Sequence, residues 1–153
     1  TLIKLSEKIG ASLIGVKGNA NSMAAAQLSL EAPLRSTGYQ SVFVMLGDED
    51  PSKKLTKALE EVPFVAVMAT YSSQLTTNAD VVFPVTMWAE QAGSYLSLDG
   101  RLQTAPQALE APEGVLTSQQ TLEKIAQVMN IEPSYDWKAS LLARVPTVEI
   151  KEV

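Results

Sequence analysis

Three carboxylates in a row, Asp48, Glu49 and Asp50, follow Gly47 and precede Pro51 in this 153-residue sequence. A glycine lets backbone come close to a ligand, and a carboxylate accepts hydrogen bonds from ribose hydroxyls or a guanine-like edge. The same residues equally suit the approach to a helix, where negative charge favours the dipole. Asn19, Asn21 and Ser22 make a second polar turn, and Thr76, Thr77, Asn78 and Asp80 a third. Asp80 equally serves as an acceptor for backbone amides at a strand start. A fourth group comprises Glu90, Gly93, Tyr95, Asp99, Gly100, Arg101 and Gln103. Gly100 between Asp99 and Arg101 predicts a tight hairpin with positive φ. Arg101 and Glu90 are expected to pair as ions and hold that hairpin against the preceding turn, a structural role rather than a catalytic one.

What is missing narrows the chemistry. The sequence has no cysteine and no histidine, which excludes disulfides, thiolate-ligated clusters, zinc-finger sites and the commonest general base. Only oxygen ligands remain, and these suit hard cations bound loosely. No catalytic residue, iron or molybdenum is therefore expected in this chain. Neither G-x-G-x-x-G nor G-x-x-x-x-G-K-[ST] occurs, so neither fingerprint dinucleotide binding nor an NTPase phosphate loop is supported. A net charge of -5 argues against nucleic acid. No apolar run approaches the roughly 20 residues that span a bilayer. Thr1 in place of an initiator Met suggests a processed protein, a cloned domain or a part of something longer.

Apolar runs at 12–16, 41–46, 64–68 and 80–84 predict buried strands, the second bounded by Gly38 and Gly47. Helical stripes lie between them: Leu2, Leu5 and Ile9 up to a stop at Gly10; Met23–Leu30 capped by Ser22; and Leu55, Leu59 and Val62 capped by Ser52. A polar loop is expected over 70–78. After a Pro- and Gly-bearing loop, Thr117 or Ser118 opens a helix with Leu122, Ile125, Val128 and Met129 on one face. A last short helix is expected near 137–143, then an extended end. Strand–helix alternation with all-apolar strands predicts an α/β fold, a mostly parallel sheet covered on both faces, with a C-terminal hairpin and helix. The organisation expected is one Rossmann-like three-layer domain over 1–130, then a C-terminal helix and tail over 131–153.

The order Ala79-Asp80-Val81-Val82-Phe83-Pro84, then Ala89-Glu90, Gly93-Ser94, Asp99-Gly100-Arg101 and Gln103, resembles the "ADVVLP … AE..GT..N.EGR.Q" signature of the molybdopterin oxidoreductase superfamily. Asn19, Asn21 and Ser22 resemble its "aNs.Ga..lg" segment, although Ala24 stands where many relatives have glycine. Residues 47–51 resemble its "GEDP"-like turn, which contacts the nucleotide part of one pterin in bis-molybdopterin enzymes. By resemblance, Asn21, Gly47, Asp50, Thr76 and Asp80 would be cofactor-binding if the chain belongs to that branch. The acidic-Gly-Arg form at 99–101 is instead like the large iron–sulfur subunit of respiratory complex I. The resemblance implies a non-catalytic scaffold in an assembly moving electrons from NADH through iron–sulfur clusters to a quinone. The clusters would lie elsewhere, the partners would be other domains or subunits, and the location would be cytoplasmic, peripheral to the membrane through the parent. The alternatives are a domain of a molybdopterin guanine dinucleotide enzyme such as formate dehydrogenase, and a stand-alone interaction subunit.

Overall fold

A computed structural model describes residues 2–11, 20–30, 32, 34, 38–98, 100–132 and 136–144. The elements are α1 (Leu2–Ile9), α2 (Ser22–Gln27), β1 (Val42–Gly47), α3 (Lys53–Leu59), β2 (Val65–Ala69) and α4 (Gln74–Asn78). They continue with β3 (Val81–Pro84), a 3-10 turn at Trp88–Glu90, β4 (Gly93–Leu96), β5 (Leu102–Ala105), α5 (Ser118–Val128) and α6 (Trp137–Arg144). The chain divides into two compact units interleaved in sequence. One comprises Ala32–Ser94 and Thr104–Asp136, the other Thr1–Glu31, Tyr95–Gln103 and Trp137–Val153.

In the larger unit β1, β2 and β3 form a parallel sheet in that order. The α/β fold is as expected, and three of the four strand runs lie within a residue of their predicted places; the run at 12–16 lies outside the described residues. β2 is the middle strand and every one of its residues is buried, which is why its sequence is continuously apolar rather than alternating. Val65, Val67 and Ala69 point to one face, where Leu59 of α3 and Leu75 of α4 complete the core with Val42, Val44, Leu46 and Leu55 around it. Both crossover helices therefore cover the same face. On the other, Phe43 and Phe83 approach with ring centroids 5.9 Å apart, and Phe43 and Met45 are 42% and 58% exposed. At the centre of that second face Ala66 and Met68 are nonetheless 6% and 1% exposed.

One correction concerns a helix. The predicted loop at 70–78 contains α4, a single helical turn that Ser73 caps. In α5, Leu122, Val128 and Met129 are exposed while Thr121 is buried and Ile125 half-buried. Thr121 enters the interior at little cost because its hydroxyl donates to the Thr117 carbonyl at 3.0 Å. The helix starts as predicted, with the Thr117 hydroxyl accepting from Gln120 N at 3.1 Å.

The smaller unit has its own core of Leu96, Leu102 and Leu141, with Met23, Ala24 and Leu28 against it. Its helix α2 is capped by Asn21 rather than Ser22; Asn21 has φ 60 and Ser22 is the first helical residue. It also stops short of Leu30. Ser29 turns to φ 60, and Ser29 N and Leu30 N donate to the Ala26 and Ala25 carbonyls at 3.1 and 2.9 Å, a Schellman closure. β4 and β5 pair as an antiparallel hairpin, and α6 falls where the last helix is predicted.

Candidate functional site at the carboxyl edge of the sheet

In an open parallel sheet the crevice for ligands lies beyond the carboxyl ends of the strands. At that edge β1 ends in Gly47 with φ 61, and its carbonyl accepts from Thr70 N at 2.8 Å, just beyond β2. A Cβ placed on Gly47 would meet nothing within 4 Å. Glycine is thus required here by its backbone conformation and not by close approach of another group. Asp48, Glu49 and Asp50 are exposed, Glu49 N donates to the Leu46 carbonyl at 3.2 Å, and the Ser52 hydroxyl accepts from Leu55 N at 3.1 Å as predicted. Among the described residues no group of three acidic side chains converges into a metal-binding cluster. Beyond β3, Thr86 is 1% exposed. Its amide donates to the Leu116 carbonyl at 3.0 Å, its carbonyl accepts from Thr70 Oγ1 at 3.4 Å and Gln91 Nε2 at 3.3 Å, and its own Oγ1 has no hydrogen-bond partner among the described residues.

The other candidates hold backbone. Thr76 Oγ1 accepts from Ser73 N at 2.8 Å and donates to the Ser73 carbonyl at 2.9 Å, while Ser73 Oγ accepts from Thr76 N at 3.3 Å. That reciprocal box explains why so short and polar a segment is helical. Asp80 Oδ2 accepts from Val65 N at 2.7 Å, and Asp80 N donates to the Val65 carbonyl at 2.9 Å. The aspartate is a two-point clamp joining the starts of β2 and β3. It therefore sits at the amino edge, opposite Gly47 and Asp50. In the smaller unit Asn21 Oδ1 accepts from Leu96 N at 2.8 Å, tying the cap of α2 to β4 across 75 positions of sequence.

In the group from 90 to 103, Glu90 and the turn at Gly100 hold backbone. Glu90 Oε2 accepts from Met87 N at 3.0 Å, closing the 3-10 turn. Gly93 opens β4. Gly100 has φ 83 as the hairpin requires, and Ser97 N donates to the Arg101 carbonyl at 2.9 Å while Arg101 N donates back to Ser97 Oγ at 3.1 Å. Gln103 lies exposed on β5, and Asp99 lies outside the described residues. Thr86 carried no signal in the sequence; its neighbours Pro84 and Val85 read only as the end of a strand.

Residues 1–128 match the family model for molybdopterin oxidoreductases. The chain belongs to that family. It is 29% identical over 111 residues to the alpha subunit of an F420-dependent formate dehydrogenase of Methanococcus maripaludis, covering 67% of this chain and 16% of that protein. It is 27% identical over 110 residues to a subunit of the NADH-quinone oxidoreductase of Rickettsia felis, covering 71% of this chain and 16% of that protein. The chain thus spans about a sixth of the length of these curated relatives. The family name implies a molybdopterin cofactor; the residues of the larger unit that the resemblance singles out for it do not converge on one place. Gly47 and Asp50 stand at one edge of the sheet and Asp80 at the other, and the Thr76 hydroxyl is held in the cap of α4.

Proposed function

We propose that this family domain is a non-catalytic scaffold within a large iron–sulfur subunit of the complex I type, part of an assembly that passes electrons from NADH to quinone. One observation carries the reading: of the polar side chains the resemblance would turn toward a cofactor, Asn21, Thr76 and Asp80 are bound to the chain's own backbone, Asp80 most directly. The sequence has no cysteine and no histidine, so on this reading the iron–sulfur clusters lie in other parts of the parent. Its partners are then neighbouring domains or subunits. No helix among the described residues is long and apolar enough to cross a membrane. On this reading the domain reaches a peripheral, cytoplasmic position through those partners.

The similarity to a formate dehydrogenase alpha subunit favours a second reading, a domain lending loops to a molybdopterin guanine dinucleotide. Titration with GDP, followed by amide shifts at 47–51 and 70–74, separates the two. The scaffold reading expects no saturable shift below about 1 mM. Specific micromolar binding at those loops overturns it in favour of the second.

A further inference from the structure

The sequence holds five methionines and no cysteine, so every sulfur in the chain is a thioether. A thioether gives its lone pair to an oxidant only where the oxidant can reach it, and susceptibility therefore follows exposure. The fold separates the five. Met45 on β1 is 58% exposed and Met129, which closes α5, is 62% exposed. Met23 and Met87 are half-buried. Met68, the β2 residue opposite Met45 in the parallel register, is 1% exposed. A readily reached thioether and a sealed one thus stand side by side on adjacent strands. Neither exposed side chain holds its element in place. β1 is held by its ladder to β2 and by Val42, Val44 and Leu46 on the opposite face. The end of α5 is closed by backbone, with Asn130 N and Ile131 N donating to the Gln127 and Ala126 carbonyls at 3.1 and 2.8 Å.

We propose that Met45 and Met129 are sites of reversible sulfoxidation, with hydrogen peroxide as the oxygen donor. The sulfur lone pair attacks one peroxide oxygen, and the O–O bond breaks as the S–O bond forms. The departing hydroxide takes the proton of the transferred hydroxyl and leaves as water. The sulfur has then lost two electrons and the peroxide has gained them. Two thiols return the electrons, releasing the oxygen as water and forming a disulfide, the chemistry of methionine sulfoxide reductases. At Met45 the product sets a polar S=O group on the face that also carries Phe43 and Phe83. That face becomes more polar at its β1 side while the core on the opposite face is untouched.

The test is a time course of hydrogen peroxide on the folded 153-residue chain, read by peptide mapping and mass spectrometry. Met45 and Met129 should each gain one oxygen at a rate within about threefold of that of a blocked free methionine. Met23 and Met87 should react more slowly. Met68 should lag Met45 by at least about 100-fold, because it is reached only when the central strand opens. The chain oxidised at both sites should keep its sheet, with amide shifts confined to the neighbourhoods of 45 and 129. The two reductases, one for each sulfoxide epimer, should restore the original mass in the presence of a dithiol. Met45→Leu and Met129→Leu, volume-conserving exchanges at exposed positions, should each remove one fast oxygen addition and leave the other. Oxidation of Met68 in step with Met45, reaction of Met45 or Met129 more slowly than Met87, unfolding on the first additions, or a product that the reductases leave in place would each overturn the proposal.

Discussion

Asp80 shows how much one side chain can decide. Its carboxylate accepts the amide of Val65, a residue that is buried at the start of the central strand. An ionised acceptor makes such a bond stronger than a neutral one, and its loss leaves a buried N–H without a partner. Asp80→Ala should therefore lower unfolding free energy by about 1–3 kcal/mol. Asp80→Asn retains an acceptor and should lose less than half of that. Urea unfolding of the two variants tests the clamp, and an alanine variant as stable as the parent chain would dismiss it. Thr86 presents the opposite case. Its hydroxyl is buried and has no hydrogen-bond partner among the described residues, so the folded state carries its desolvation without recompense. Thr86→Val keeps the shape and removes the hydroxyl. No loss of stability is expected, with a gain of up to about 1 kcal/mol. A fall in melting temperature would mean that the hydroxyl has a partner after all, such as an ordered water.

At the scale of elements, Asn21 joins a helix cap to a hairpin through two separable properties. It adopts φ 60, and its Oδ1 accepts from Leu96 N. Asn21→Asp preserves both, Asn21→Gly preserves the backbone alone, and Asn21→Ala preserves neither. Thermal unfolding should rank the chains Asn, Asp, Gly, Ala from most to least stable. The alanine variant should lose about 2–3 kcal/mol, from the left-handed penalty and the orphaned amide together. If the glycine variant matched the parent, the bond to Leu96 would carry no weight. This cap also marks where sequence reading reached its limit. The strands at 42–47, 65–69 and 81–84 were legible as unbroken apolar runs, although burial on both faces demands such a run only of β2, β1 and β3 being partly exposed edge strands. The turn at Gly100 was legible because few residues accept its φ. Asn21 was visible as turn chemistry, but a partner 75 positions away is fixed only by tertiary structure. α4 was hidden because its helicity depends on the Ser73–Thr76 box and on burial of Leu75, not on composition. The stripe of α5 located the helix, whereas the buried position of Thr121, paired to its own backbone, carried no apolar signal. Of the candidate site, Asp80 was legible as an aspartate fit for capping amides, whereas its edge of the sheet required the β2–β3 register.

The larger unit is organised around one strand. β2 is hydrogen-bonded on both sides, Val67 and Met68 are 0% and 1% exposed, and Leu59 and Leu75 close over it from the helical layer. α5 and α1 lack that enclosure. The last turn of α5 leaves Val128 84% exposed and ends at Asn130 in a left-handed residue, and α1 leaves Leu5 and Ile9 largely in solvent. Amides exchange with solvent through whichever opening is least costly, from fraying at an element end to global unfolding for a central strand. The amides of residues 66–69 should accordingly be the slowest to exchange, approaching the free energy of unfolding of their unit. Those in the last turn of α5 should exchange with protection lower by at least about 100-fold, a difference near 2.7 kcal/mol of opening free energy. Asp80→Ala gives the same experiment a second arm. If its bond to Val65 N holds the start of β2, the variant should lose protection across 65–69 together, because the strand opens as a unit. A loss confined to the amide of Val65 would show Asp80 to be a local cap. A β2 that exchanges as fast as the end of α5 in the parent chain would show that this strand is not the keystone of the fold.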